Sequence, residues 1–136
     1  MSKIKECRGY ISSRSFSDNW VPQHIQNTII RDFCNKKQLH YLLSAAEYAV
    51  PDCYMVIEEM AQESARLFGI VLYSIYQLPV NESNRIALCK SILNNDCFIY
   101  SSVEDICIGN EEDLLRVNTI LNLNEILPEC ISSLEY

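Results

Sequence analysis

Gly69-Ile70-Val71-Leu72-Tyr73-Ser74-Ile75-Tyr76 is the stretch that decides the fold. Its near-continuous apolar run is too short for a buried helix and too unbroken for a sheet with one wet face. It reads as a strand covered on both sides, as in parallel sheets. Gln77-Leu78-Pro79 breaks the run. Asn81 then caps a helix whose core side is Ile86, Cys89, Ile92 and Leu93, and Cys97-Phe98-Ile99-Tyr100-Ser101 reads as the next strand. Asn110 followed by Glu111, Glu112 and Asp113 marks another helix start, with acids over the positive end of the dipole and Leu114, Val117 and Leu121 as the inner stripe.

The same cycle precedes the central strand. Arg8-Gly9-Tyr10-Ile11-Ser12-Ser13 is short and β-prone. Val21, Ile25, Ile29 and Phe33 recur every fourth residue, which predicts a helix over about 21–35 opened by Pro22 and closed by basic Lys36 and Lys37. Leu39-His40-Tyr41-Leu42-Leu43-Ser44 reads as a second strand. Pro51 opens a second helix with Met55, Val56, Met60 and Ala61 as its apolar side. Strand and helix alternate four times with no hairpin signal. That pattern predicts an open parallel sheet in the order 2-1-3-4 with helices on both faces. Ligands of such sheets bind at the carboxyl ends of the strands where the order reverses, here between the loops at 12–21 and 76–82.

The whole chain of 136 residues reads as one α/β domain, with a core over about 8–122 and a tail at 123–136. Apolar residues make up 49% and charged residues 21%, which excludes disorder as the expectation. No apolar run approaches the ~20 residues of a membrane helix, and the polar start lacks a secretion signal, so a cytoplasmic protein with no membrane partner is expected. Net charge is −7: residues 1–68 carry eight basic and eight acidic side chains, residues 69–136 three and ten. An acidic chain repels phosphate backbones, so no nucleic-acid partner is expected. The seven cysteines form no Cys-x-x-Cys pair and read as reduced, buried thiols.

Candidate site residues gather behind the strands. Ser12, Ser13 and Arg14 precede a helix start, where free backbone N–H groups and a guanidinium fork favour an anion. Gln23, Gln26 and Asn27 offer amides that read hydroxyls, and Ser44, Tyr48 and Gln77 extend the same rim. Glu47 and Tyr76 are the candidates for proton transfer. Glu104 and Asp105 are adjacent and need not share a face, so no metal is expected. With neither Gly-x-Gly-x-x-Gly nor a P-loop, no nucleotide cofactor is expected either.

Two resemblances rest on these residues. Gly9-Tyr10-Ile11-Ser12-Ser13-Arg14, Val21 to Asn27 with Ile30-Arg31-Asp32-Phe33-Cys34, Leu43 to Ala49 and Gly69 to Pro79 resemble the sporadic carbohydrate cluster protein family of small bacterial proteins. That resemblance implies a role in lipopolysaccharide or other surface-glycan synthesis, on a sugar, sugar phosphate or nucleotide sugar. Its alternative is a non-catalytic module partnering a glycan-synthesis enzyme. The order of elements is also similar to the catalytic domain of serine recombinases, or resolvases, which implies a flavodoxin-like or resolvase-like sheet of about four strands. That family opens with Tyr-x-Arg-x-Ser, the serine being the nucleophile. Here Tyr10-Ile11-Ser12-Ser13-Arg14 has Arg and Ser exchanged. The family's Asp-Arg-Leu-x-Arg appears as Tyr76-Gln77-Leu78-Pro79-Val80, without the two arginines that steady the DNA phosphate. The apolar final segment, with Ile120, Leu121, Leu123, Ile126 and Leu127, makes a homodimer plausible.

Overall fold

Every position of the central strand Gly69–Leu72 is buried, as a strand covered on both faces requires. The computed structural model describes residues 5–13, 21–50 and 52–135, with side chains through Leu123. In chain order the elements are β1 (Glu6–Ile11), α1 (Gln23–Lys36), β2 (His40–Ala46), α2 (Met55–Glu63), β3 (Gly69–Leu72), α3 (Glu82–Asn94), β4 (Phe98–Ser101), β5 (Ile106–Ile108) and α4 (Glu111–Glu135). A 3-10 turn, Ile75–Gln77, follows β3. The sheet order is β2-β1-β3-β4-β5. The first four strands are parallel, as expected, and β5 adds to β4 antiparallel.

Alternation along β3 divides the core. Ile70 and Leu72 face α2, α3 and α4, where Ile57, Met60, Leu88, Ile92, Leu114, Val117 and Leu121 are buried. Val71 faces the other side with Cys7, Ile11 and the α1 residues Ile30, Phe33 and Cys34. Burial of each such side chain stabilises the fold by about 1.5–3 kcal/mol. Helices therefore cover both faces, with α1 on one and α2, α3 and α4 on the other.

Local chemistry explains the departures from the expected boundaries. The expected strand through Tyr76 ends at Leu72. Ser74 instead starts the 3-10 turn with a capping box, its hydroxyl accepting from the Tyr76 amide at 3.2 Å and its own amide donating to Gln77 Oε1 at 3.3 Å. A fifth strand, missed by the expectation of four, follows a hairpin that lacks glycine: Asp105 takes the left-handed conformation at φ 53° in its place. The ends of α1 and α3 use the same substitution. Gln38 and Asp96 sit at φ 58° and 56°, and the amides of Leu39 and Cys97 reach back to the carbonyls of Cys34 and Ile92, at 2.8 and 3.3 Å. These motifs turn each helix directly into its next strand.

Helix faces differ by single residues. Met55, expected in the core, is exposed, and Ile57 takes its place on α2. Pro51 lies outside the described residues. On α3 the buried face is Arg85, Leu88, Cys89 and Ile92, with Ile86 and Leu93 half-buried against it. The caps expected from Asn81 and Asn110 are present: each side chain accepts from the backbone amide three residues on, at 3.0 and 2.9 Å. The segment expected as a tail continues α4 to Glu135. Among the described residues, no helix is long and apolar enough to cross a membrane.

Cys7, Cys34 and Cys89 are buried free thiols. Burial pushes them up from the ordinary 9.0 to about 12, 11 and 12, with neighbouring thiols adding to the shift at Cys7 and Arg85 opposing it at Cys89. The folded chain thus keeps these protons while the unfolded chain releases them above pH 9. Their contribution to stability is present below that value and is lost as pH climbs toward 11 and 12. Chemical-denaturation curves between pH 8 and pH 10.5 are expected to show a falling midpoint, and Cys107, which is exposed, is expected to react with a thiol reagent before these three.

A sealed polar network at the carboxyl rim of the sheet

The rim where β1 and β3 end brings three of the expected site residues, Ser12, Gln26 and Gln77, into one network. Gln26, one turn inside α1, aims its amide at the end of β1. Its Nε2 donates to the carbonyls of Ser12 and Val21, at 2.6 and 2.7 Å, and its Oε1 accepts from the Ser12 amide at 3.1 Å. Gln77 approaches from the 3-10 turn. Its Nε2 donates to Ser12 Oγ at 3.0 Å and to Gln26 Oε1 at 2.9 Å, while its Oε1 accepts from the Tyr73 and Ser74 amides. Ser12, Gln26 and Gln77 are each 0% exposed. The first residues after β1 and β3 therefore lie side by side, tied by direct hydrogen bonds between neutral groups.

Glu47, just past β2, is buried and serves as a remote cap. It accepts from the Tyr10 hydroxyl at 2.9 Å, from the Tyr48 amide at 3.2 Å, and from the Val56 and Ile57 amides at the start of α2, at 3.0 and 3.4 Å. The Cys53 thiol lies 3.6 Å from the same carboxylate. Glu104 does the equivalent for the 3-10 turn, accepting from Ser74 Oγ at 2.6 Å, from the Ile75 amide at 3.1 Å and from the Ser101 hydroxyl. Both carboxylates thus occupy backbone N–H groups that an anionic ligand would otherwise take.

The remaining candidates separate from this network. Asn27 Oδ1 accepts from the Tyr41 hydroxyl and, at 2.7 Å, from Ser44 Oγ. Ser44 lies over Gly9, where a Cβ would stand 2.2 Å from its hydroxyl, so a larger residue at position 9 would push that hydroxyl aside. Gln23 is half-buried at the start of α1, Ser13 is half-buried beyond Ser12, and Tyr48 is exposed. Tyr76 is half-buried, and burial together with the Glu104 charge holds its hydroxyl above the ordinary 10.0. Arg14 lies outside the described residues. Among those residues no cluster has the makings of a metal site.

Arg85 is the site residue that sequence reading missed. It is 2% exposed and donates to the carbonyls of Pro79 and Val80, both at 3.2 Å, to Asn118 Oδ1 at 2.6 Å and to Asn122 Oδ1 at 3.1 Å. It fastens α4 to the loop behind the 3-10 turn. The signal was its place on the 85, 88, 89, 92 face of α3, a core position held by a charge.

The structure is similar to two solved structures over nearly its whole length. One is the N-terminal catalytic domain of TP901-1 integrase, at TM-score 0.61 and 12% identity, covering 95% of this chain and 99% of that one. The other is a resolvase family site-specific recombinase from Streptococcus pneumoniae, at TM-score 0.58 and 8% identity, covering 94% and 93%. The resolvase-like sheet is thereby shown. No family model and no curated protein matches the chain. These findings correct the functional expectation. Neighbours that are recombinases overturn a role in surface-carbohydrate or lipopolysaccharide synthesis and the sugar, sugar-phosphate or nucleotide-sugar ligand that went with it. They equally overturn the expectation of no nucleic-acid partner, because net charge describes the long-range field of a chain and not its local contacts.

Proposed function

We propose that this chain works in DNA recombination as a recombinase-fold subunit that joins a DNA-bound assembly without cutting DNA itself. The observation that carries the reading is the sealed contact of Gln77 with Ser12 and Gln26. In the resolvase pattern the serine after the first strand attacks the DNA phosphate, and arginines after the third strand steady it. Phosphoryl transfer depends on cationic donors placed where negative charge develops. Here Ser12 and Gln77 stand where that pattern has arginines, and both are neutral, dehydrated and bonded to each other. Glu47 and Tyr76, expected as proton carriers, fit scaffolding better: one caps a helix, and the other holds its proton more tightly than an ordinary tyrosine.

The acidic second half opposes DNA, so the chain's own hold on a duplex rests on a few basic residues of the first half. Fluorescence anisotropy with a labelled duplex tests this. Binding is expected at low salt and should weaken about tenfold between roughly 50 and 200 mM salt, as about two phosphate contacts imply. Absence of binding at the low-salt end overturns the DNA part of the proposal. A covalent protein–DNA adduct at Ser12 or Ser13 overturns the non-cutting part.

A further inference from the structure

We infer that the groove between α1 and the open edge strand β2 is a binding site for a phosphate ester of nucleotide size. The hollow measures about 590 Å³, within the range of small-molecule sites. Thr28, Arg31 and Asn35 line one wall, spaced to share a face of α1, and His40 and Tyr41 line the other. The Arg31 guanidinium carbon lies 5.9 Å from the centre of the Tyr41 ring, a cation–π approach that holds the side chain over the groove. The ring is itself fixed, because its hydroxyl is bonded to Asn27 and Ser44.

Charge selects the ligand. Asp32 also lines the groove, but Lys36 neutralises it at 3.0 Å. Arg31 forms no ion pair among the described residues: the pairs there are Lys36 with Asp32, Lys37 with Asp105 and Arg116 with Asp113. With Lys36 counted against Asp32, the groove and its rim carry one positive charge, that of Arg31, on a protein of net charge −7. The arginine fork and the Asn35 amide together supply donors for several phosphate oxygens, and the Tyr41 ring supplies an apolar wall for the body of the ligand. The phosphate belongs either to a free nucleotide or to DNA. The site requires only the phosphate chemistry, so it stands or falls apart from the recombination reading.

Titration of the 15N-labelled protein with adenosine monophosphate, and separately with a short DNA duplex, tests the site by NMR. Saturable shifts are expected at Thr28, Arg31, Asn35, His40 and Tyr41. Arg31→Gln is expected to weaken nucleotide binding about tenfold or more, as loss of a charge-assisted hydrogen bond predicts, with an unchanged unfolding curve. Lys90→Gln, on the exposed side of α3, is expected to leave affinity as it is. Binding that Arg31→Gln does not weaken overturns the inference, as does absence of shifts in the groove with both probes. Nucleotide binding without duplex binding supports the site and counts against DNA association. Duplex binding that maps outside the groove, with no nucleotide binding, does the reverse.

Discussion

Replacing Glu47 by leucine is expected to lower stability by about 4 kcal/mol, read as a shift of the denaturant midpoint at constant slope. The carboxylate accepts from the Tyr10 hydroxyl and from the Tyr48, Val56 and Ile57 amides. Leucine leaves a buried hydroxyl and the first amides of α2 without acceptors, and each stranded group costs about 1–3 kcal/mol. Glu47→Gln keeps an acceptor oxygen and is expected to cost about 1–2 kcal/mol, the loss of charge-assisted bonds to a helix start. A general base would give a different pattern, with activity lost and the midpoint little changed. Equal midpoints for the wild type and the leucine variant would remove Glu47 from the scaffold.

Gln77→Leu is expected to cost about as much, roughly 4 kcal/mol, for a related reason. One side chain there satisfies the Tyr73 and Ser74 amides and donates to Ser12 and Gln26. Leucine has similar size but offers neither donor nor acceptor, so it strands partners in both loops. Gln62→Ala, exposed on α2, serves as the control and is expected within about 0.5 kcal/mol of the wild type. If Gln77→Leu costs no more than the Gln62→Ala control, Gln77 does not tie the loops together. Measuring Ser12→Ala and the double variant adds a coupling energy, expected to be about 1 kcal/mol or more for groups in direct contact.

Much of the fold was legible because burial periodicity survives in a short sequence. Val71 and its neighbours read as a doubly covered strand, and Asn81 and Asn110 read as caps, because each signal is local. β5 and the early end of β3 were not legible on the same terms. Asp105 does in the hairpin what glycine usually does, at φ 53°, and nothing in the three-residue strand after it forms a period. The Ser74-x-x-Gln77 capping box was present in the sequence, but the apolar Ile75 and Tyr76 within it read as more strand.

The site was legible in part. Ser12, Gln26 and Gln77 meet at one rim because topology alone brings the ends of β1 and β3 together. Their chemistry was not legible. An amide on a loop reads the same whether it waits for a ligand or closes on its neighbours, and only burial separates the two. Glu47 shows the same limit, because its partners Val56 and Ile57 lie nine and ten residues away, beyond any local pattern. Arg85 shows the converse: a charged residue on an apolar face was a signal, and its partners on α4 gave it meaning.

A rim that does not cut DNA requires the polar network to be closed to water in solution. Hydrogen exchange of the Gln77 and Gln26 side-chain amides, followed by NMR, measures that directly. A closed network predicts exchange slower than that of a free amide by about a hundredfold or more, reached only through opening of the loops after β1 and β3. Exchange at the rate of an exposed glutamine would show a rim open to solvent, with Ser12 available to a phosphate, and would contradict the reading of this domain as a non-cutting recombinase fold.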